Sequence, residues 1–139
     1  MIIIGIDPGK DGGIVRITDD LRVLYACRLT IENLKSLDLD ADIIAIEDVH
    51  WLPRDTPATA WTLARTVGWL DLWKHGKDIQ LVTSDAWQAW AWKGLYRRRP
   101  TKEITAEAAL KWFPDAGLKT YVRAAALIAG YAVQKINLP

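Results

Sequence analysis

The feature that most constrains this chain is its opening run, Ile2-Ile3-Ile4-Gly5-Ile6, which has no polar side chain and stops abruptly at Asp7-Pro8-Gly9. β-Branched residues suit a pleated strand, and an unbroken apolar run has no face to offer to water. Such a strand belongs inside a sheet that is covered on both sides, so helices are required on both faces. A second run of the same kind, Ile43 to Ile46, leads into Glu47-Asp48.

The rest of the chain supplies the cover. Asp7 to Gly13 is a turn by composition, and Gly13 to Thr18 and Arg22 to Leu29 read as two further strands around the Asp19-Asp20 corner. With the first strand they make an antiparallel meander. Ile31 to Leu37 reads as a short helix, Thr59 to Lys74 as a long one closed by Gly76, and Ile79 to Val82 as a strand. Ser84 or Asp85 can cap a helical turn to about Trp92, followed by a basic loop from Lys93 to Pro100. Thr101 to Trp112 is a helix stopped before Pro114, and Thr120 to Ile136 is a last helix, apolar nearly all round. This order predicts a three-layer α/β domain with a mixed sheet of about five strands and helices on both faces.

A length of 139 residues suits one domain, 1–139, with a proper core. The net charge of +1 gives no global field, so any nucleic-acid site must be a local patch. Cys27 is the only cysteine, which excludes an internal disulfide and a cysteine-based zinc cluster and suits a small buried residue in a strand. The apolar start lacks a basic flank and meets charge at Asp7, so it is neither a signal peptide nor a membrane span, and a cytoplasmic setting is expected. The eight tryptophans should be core or interface.

Asp7 and Glu47 each end a fully apolar strand. If those strands are neighbours, both carboxylates emerge at the sheet edge where open α/β sheets keep their sites. Hard oxygen donors of this kind suit Mg²⁺ or Mn²⁺, with phosphate oxygens as further ligands. For one strand-end acid alone, turn capping is the commoner role. Asp11 and His50 are further residues near this end, and Asp48, next to Glu47 on a strand, should face the other way. Lys93, Arg97, Arg98, Arg99 and Lys102, interleaved with Trp92, Leu95 and Tyr96, form a patch able to neutralise phosphates and stack unpaired bases.

The blocks IGIDPGKDGGI, IAIEDVHWLPRDTPATAWTLARTVGWLD, LVTSDAWQAWAWKGL, TKEITAEAALKWFPDA and RAAALIAGYA resemble, in order, the short phage-type RuvC-like Holliday junction resolvases. The resemblance covers nearly the whole chain. It implies a ribonuclease H-like fold, a metal-dependent endodeoxyribonuclease cutting a four-way junction symmetrically, and a homodimer built on the helix from Thr59 to Lys74, where Gly68 would allow a close crossing. It also implies four metal-binding carboxylates. Asp7 and Glu47 match two of them, and Lys102 matches a lysine near the scissile phosphate. The other two stand three residues apart at the start of the last helix, in a pattern like D-R-A-E/D-A-L, where this chain places Val122 and Ala125. With those acids absent, the alternative is a catalytically impaired or inactive junction-binding protein. Actin-like ATPases also open on a strand and a glycine-rich turn, but they need two such domains, more than this length supplies.

Overall fold

The computed structural model describes residues 1–9, 11–37, 41–48, 68 and 78–138. In chain order these form β1 (Ile2–Ile6), β2 (Gly13–Thr18), β3 (Val23–Arg28), α1 (Ile31–Ser36), β4 (Ile43–Glu47), β5 (Ile79–Val82), α2 (Ser84–Ala91), α3 (Thr101–Trp112), a 3₁₀ turn (Thr120–Val122) and α4 (Arg123–Asn137). The strands make a five-stranded sheet in the order β3-β2-β1-β4-β5. The pairs β1–β2 and β2–β3 are antiparallel, whereas β1–β4 and β4–β5 are parallel. The mixed sheet and its central, doubly covered β1 match the sequence expectation.

Alternation along the strands sends side chains to two separate cores. Ile4, Ile6, Ile14, Ile44 and Ile46 pack with Leu34 of α1 on one face. On the other, Ile3, Val15, Ile17 and Ala45 pack against Ala125, Ala126, Leu127, Ile128 and Ala129 of α4. Leu127 and Ile128 are fully buried. Each contributes about 1.5–3 kcal/mol by leaving water.

Glycine sets how closely α4 lies on the sheet. A Cβ on Gly5 would stand 2.1 Å from the Ala125 carbonyl oxygen, and one on Gly13 would stand 2.3 Å from that of Tyr121. Any side chain at either position would lift the start of α4 away from β1 and β2. At the far side of α4, Gly130 makes room for Trp90, whose ring stacks on Trp112 with centroids 4.4 Å apart.

Three boundaries differ from the sequence expectation. The residues from Thr120 do not start one continuous helix: Thr120–Val122 form a 3₁₀ turn, with Val122 at φ −113° and ψ −5° before α4 begins. Thr83, rather than Ser84 or Asp85, caps α2, its Oγ1 accepting from the Ala86 amide at 3.3 Å. β4 extends by one residue to include Glu47. His50 and the helix from Thr59 to Lys74 lie outside the described residues, save Gly68, which is helical and exposed. No helix among the described residues is long and apolar enough to cross a membrane.

Candidate functional site

Strand register aligns the site. Gly13 pairs with Arg28, the Asp7 amide donates to the Gly13 carbonyl at 3.0 Å, and Ile6 pairs with Ile46, so Asp7 and Glu47 follow side by side. Arg28, Asp7 and Glu47 therefore form one row across the carboxyl end of β1 and β4. Alternation puts all three on the α4 face. Asp48 is exposed, and its amide donates to the Val82 carbonyl at 2.8 Å.

The row opens into a cavity of about 540 Å³ lined by Asp7, Asp11, Glu47, Lys102 and the turn leading into α4. Asp7 Oδ1 accepts from the Gly9 amide at 3.1 Å. Burial pushes the Asp7 carboxyl up to about 6; the Gly9 hydrogen bond opposes this and the nearby Glu47 charge adds to it. Glu47 Oε1 accepts from the indole Nε1 of Trp87 at 3.2 Å and from the Ser84 hydroxyl. Because Thr83 takes over the capping of α2, Ser84 is free to hold Glu47 at the start of that helix, where a carboxylate is favoured by the helix dipole.

The turn into α4 brings to the cavity other residues than the two positions singled out by the resemblance. Val122 is 1% exposed and Ala125 is fully buried, both in the core against the sheet. Tyr121 and Ala124, one residue earlier in each case, line the cavity instead. The offset arises because Val122 and Ala125 belong to the apolar stripe that packs over Gly5 and Gly13. The turn into α4 thus lines the cavity with Thr120, Tyr121, Arg123 and Ala124, none of them acidic.

Cationic side chains line this cavity too. Arg28, Lys102 and Arg123 all line it. The Arg28 guanidinium lies over the Tyr121 ring, 4.1 Å from its centroid. Sequence reasoning singled out Lys102 but missed Arg28 and Arg123. Arg28 reaches the site only through β2–β3 pairing, and Arg123 lies beside the apolar positions that the motif comparison emphasised.

The basic loop divides. Arg97 and Arg98 are exposed beside Tyr96, itself 67% exposed. Arg99 is instead held inward, its Nε donating to the Tyr96 carbonyl at 2.8 Å and its terminal nitrogen pairing with Glu107. Lys93 is exposed, and its carbonyl accepts from Lys111 Nζ at 2.8 Å. Among the loop's predicted DNA contacts, Lys102 alone lines the cavity.

These residues do not fit a pair of divalent cations. Two-metal chemistry needs carboxylates to hold cations roughly 3.5–4 Å apart. Here no group of three or more acidic, histidine or cysteine side chains among the described residues is placed to hold a metal ion. Both carboxylates already accept hydrogen bonds from protein donors, and three cationic side chains share the cavity. Among the described residues, Asp7 and Glu47 are the strand-end carboxylates whose oxygens would hold one Mg²⁺ or Mn²⁺ ion.

The sheet order, the two covered faces and the strand-end site define an α/β domain of the ribonuclease H-like class. Within that class the fold is that of RuvC. The chain is similar to the structure of RuvC from Thermus thermophilus, with a TM-score of 0.71, 16% identity and coverage of 98% of this chain and 96% of that one. It is similar also to T. thermophilus RuvC in complex with a Holliday junction substrate, with a TM-score of 0.66, 14% identity and coverage of 99% and 97%. No family model matches the sequence, and no curated protein matches it.

Proposed function

We propose that this protein binds branched DNA, four-way junctions above all, as a homodimer with the resolvase fold, and that its capacity to hydrolyse the phosphodiester is low or absent. The observation that carries this reading is the cavity itself. It keeps Asp7, Glu47 and Lys102 at the strand ends, while the turn into α4 contributes Tyr121, Arg123 and Ala124 in place of acids. Likeness to a RuvC bound to a junction supports branched DNA as the ligand. Exposed Arg97 and Arg98 beside Tyr96 supply further phosphate contacts and an aromatic face for an unpaired base.

A second reading, metal-dependent cleavage of the junction, is favoured by the side-by-side placement of Asp7 and Glu47. In that reading one Mg²⁺ or Mn²⁺ ion would be held by Asp7 and Glu47, and Lys102 would stabilise charge at the phosphate.

The test is a binding titration by fluorescence anisotropy, comparing a four-way junction with linear duplex of the same sequence over a range of salt. The junction should bind more tightly, and affinity should fall steeply with salt because the contacts are to phosphates. Equal affinity for the two DNAs at physiological salt would refute the reading. Robust cutting of the junction in Mg²⁺ would replace it with the second.

A further inference from the structure

A site built to handle a phosphodiester must supply positive charge near it. Among the described residues no group of three metal-ligating side chains comes together, yet the cavity is not short of cationic side chains. Arg28 comes from the end of β3, Arg123 from the first residue of α4 and Lys102 from the first turn of α3. Three separate elements thus converge on one space with three positive side chains. Among the described residues, none of the three has a carboxylate within ion-pair distance.

Their surroundings favour an anion over a role in folding. Arg28 is exposed at the sheet edge, so no buried partner demands its charge. Its guanidinium is nonetheless fixed, because the Tyr121 ring lies beneath it at 4.1 Å. A stacked guanidinium keeps its planar fork of N–H donors free at the edge, the geometry that takes two phosphate oxygens at once. Arg123 is steadied by a contact of 3.5 Å from its terminal nitrogen to Thr120 Oγ1, on the other side of the same tyrosine in sequence. Asp7 and Glu47 remain engaged by Gly9, Ser84 and Trp87, and so keep their places without a metal ion.

We propose that Arg28, Arg123 and Lys102 hold a phosphate group of the DNA directly in this cavity, with no bridging divalent cation, and that Tyr121 is the positioning residue for Arg28. The proposal rests on the branched-DNA reading for its physiological ligand, but the phosphate site can be tested without it.

Two measurements separate the claims. In the first, thermal stability is followed as inorganic phosphate replaces chloride at constant ionic strength, in EDTA, for the wild type and for the double variant R28Q/R123Q. Phosphate should raise the melting temperature of the wild type and leave the variant unmoved. In the second, junction binding is titrated in EDTA and in Mg²⁺ at matched ionic strength. Wild-type protein should bind the junction in EDTA, with no gain in affinity on addition of Mg²⁺. R28Q/R123Q should bind about tenfold more weakly for each arginine lost, with a salt slope reduced by about two. The pair R28K/R123K keeps the charge without the fork, and should retain the slope while losing part of the affinity. Arg28 is exposed and Arg123 is half-buried in the cavity wall; glutamine keeps much of each side chain, so the variants should fold, and far-UV circular dichroism checks this.

Phosphate that fails to distinguish wild type from R28Q/R123Q overturns the proposal, as does junction binding that requires Mg²⁺. Phosphate protection confined to the wild type, with no preference for a junction, would uphold the phosphate site and refute branched DNA as its ligand. Tight junction binding indifferent to both arginines would do the reverse.

Discussion

At the scale of single residues, Asp7 is a carboxyl whose ionisation is opposed by its surroundings. Its carboxyl belongs to a cavity wall, and burial opposes its ionisation more than the Gly9 amide favours it. The proton is held more tightly in the folded chain than in the unfolded one. The stability this contributes is complete below the ordinary value of 3.8 and is lost as pH rises through about 6. A shift from 3.8 to about 6 corresponds to about 3 kcal/mol at most. Asp7→Asn keeps an acceptor for the Gly9 amide and removes the ionisation. It should therefore raise the melting temperature by several degrees at pH 8 in EDTA, and the gain over wild type should vanish near pH 4. Equal melting temperatures at pH 8 would show that Asp7 ionises without strain.

At the scale of elements, the turn into α4 decides what the site contains. Val122→Asp with Ala125→Glu would drive two carboxylates into the packed face over Gly5 and Gly13, where an unpaired charge costs several kcal/mol. That double variant should fail to fold. Tyr121→Asp with Ala124→Glu instead places both acids in the cavity. It should fold, become more stable on addition of Mg²⁺, and gain junction cleavage, readable by thermal melting and by a nicking assay. Absence of any Mg²⁺ effect would mean that these positions do not face Asp7 closely enough to share an ion. In the loop before α3, Arg97→Ala with Arg98→Ala should weaken junction binding and lower the salt slope by about two, whereas Arg99→Ala should act mainly by losing its pairing with Glu107. An unchanged slope for the first pair would make that loop a solvated surface.

The sequence was most legible where a pattern has one physical meaning. Short apolar runs rich in β-branched residues, such as Ile2 to Ile6, read as buried strands, so β1, β4 and their terminal acids were readable from the residues alone. The segment from Thr120 to Ile136 is apolar nearly all round, and a helix without a polar face carries no phase. Nothing in it could distinguish Tyr121 and Ala124 from Val122 and Ala125, and the 3₁₀ turn before Arg123 has no signal of its own. Arg28 was invisible for a different reason. Its place in the site depends on strands pairing across the sheet, a relation that no local window contains.

At the scale of the whole molecule, a four-way junction is symmetric, and a two-fold dimer is the form that presents two equal sites to it. We expect a dimer in solution. A Cβ on Gly68 would meet nothing within 4 Å inside one chain, so Gly68→Arg costs the fold little. It should give a folded monomer by sedimentation if that helix forms the dimer contact. A wild-type protein that sediments as a monomer at micromolar concentration would refute the dimer.

The seat of α4 on Gly5 and Gly13 also bears on how the molecule is made. Residues near the start of the chain are completed, as a core, by a helix synthesised more than a hundred positions later. Contacts of such long separation are slow to form, because the intervening chain must first lose its freedom. On the ribosome the meander of β1, β2 and β3 can pair as soon as it emerges, but one side of it stays bare until α4 arrives. The cavity, whose walls run from Asp7 to Ala124, closes in the same step. A nascent chain halted before α4 therefore exposes an apolar sheet face to chaperones and has no finished place for DNA.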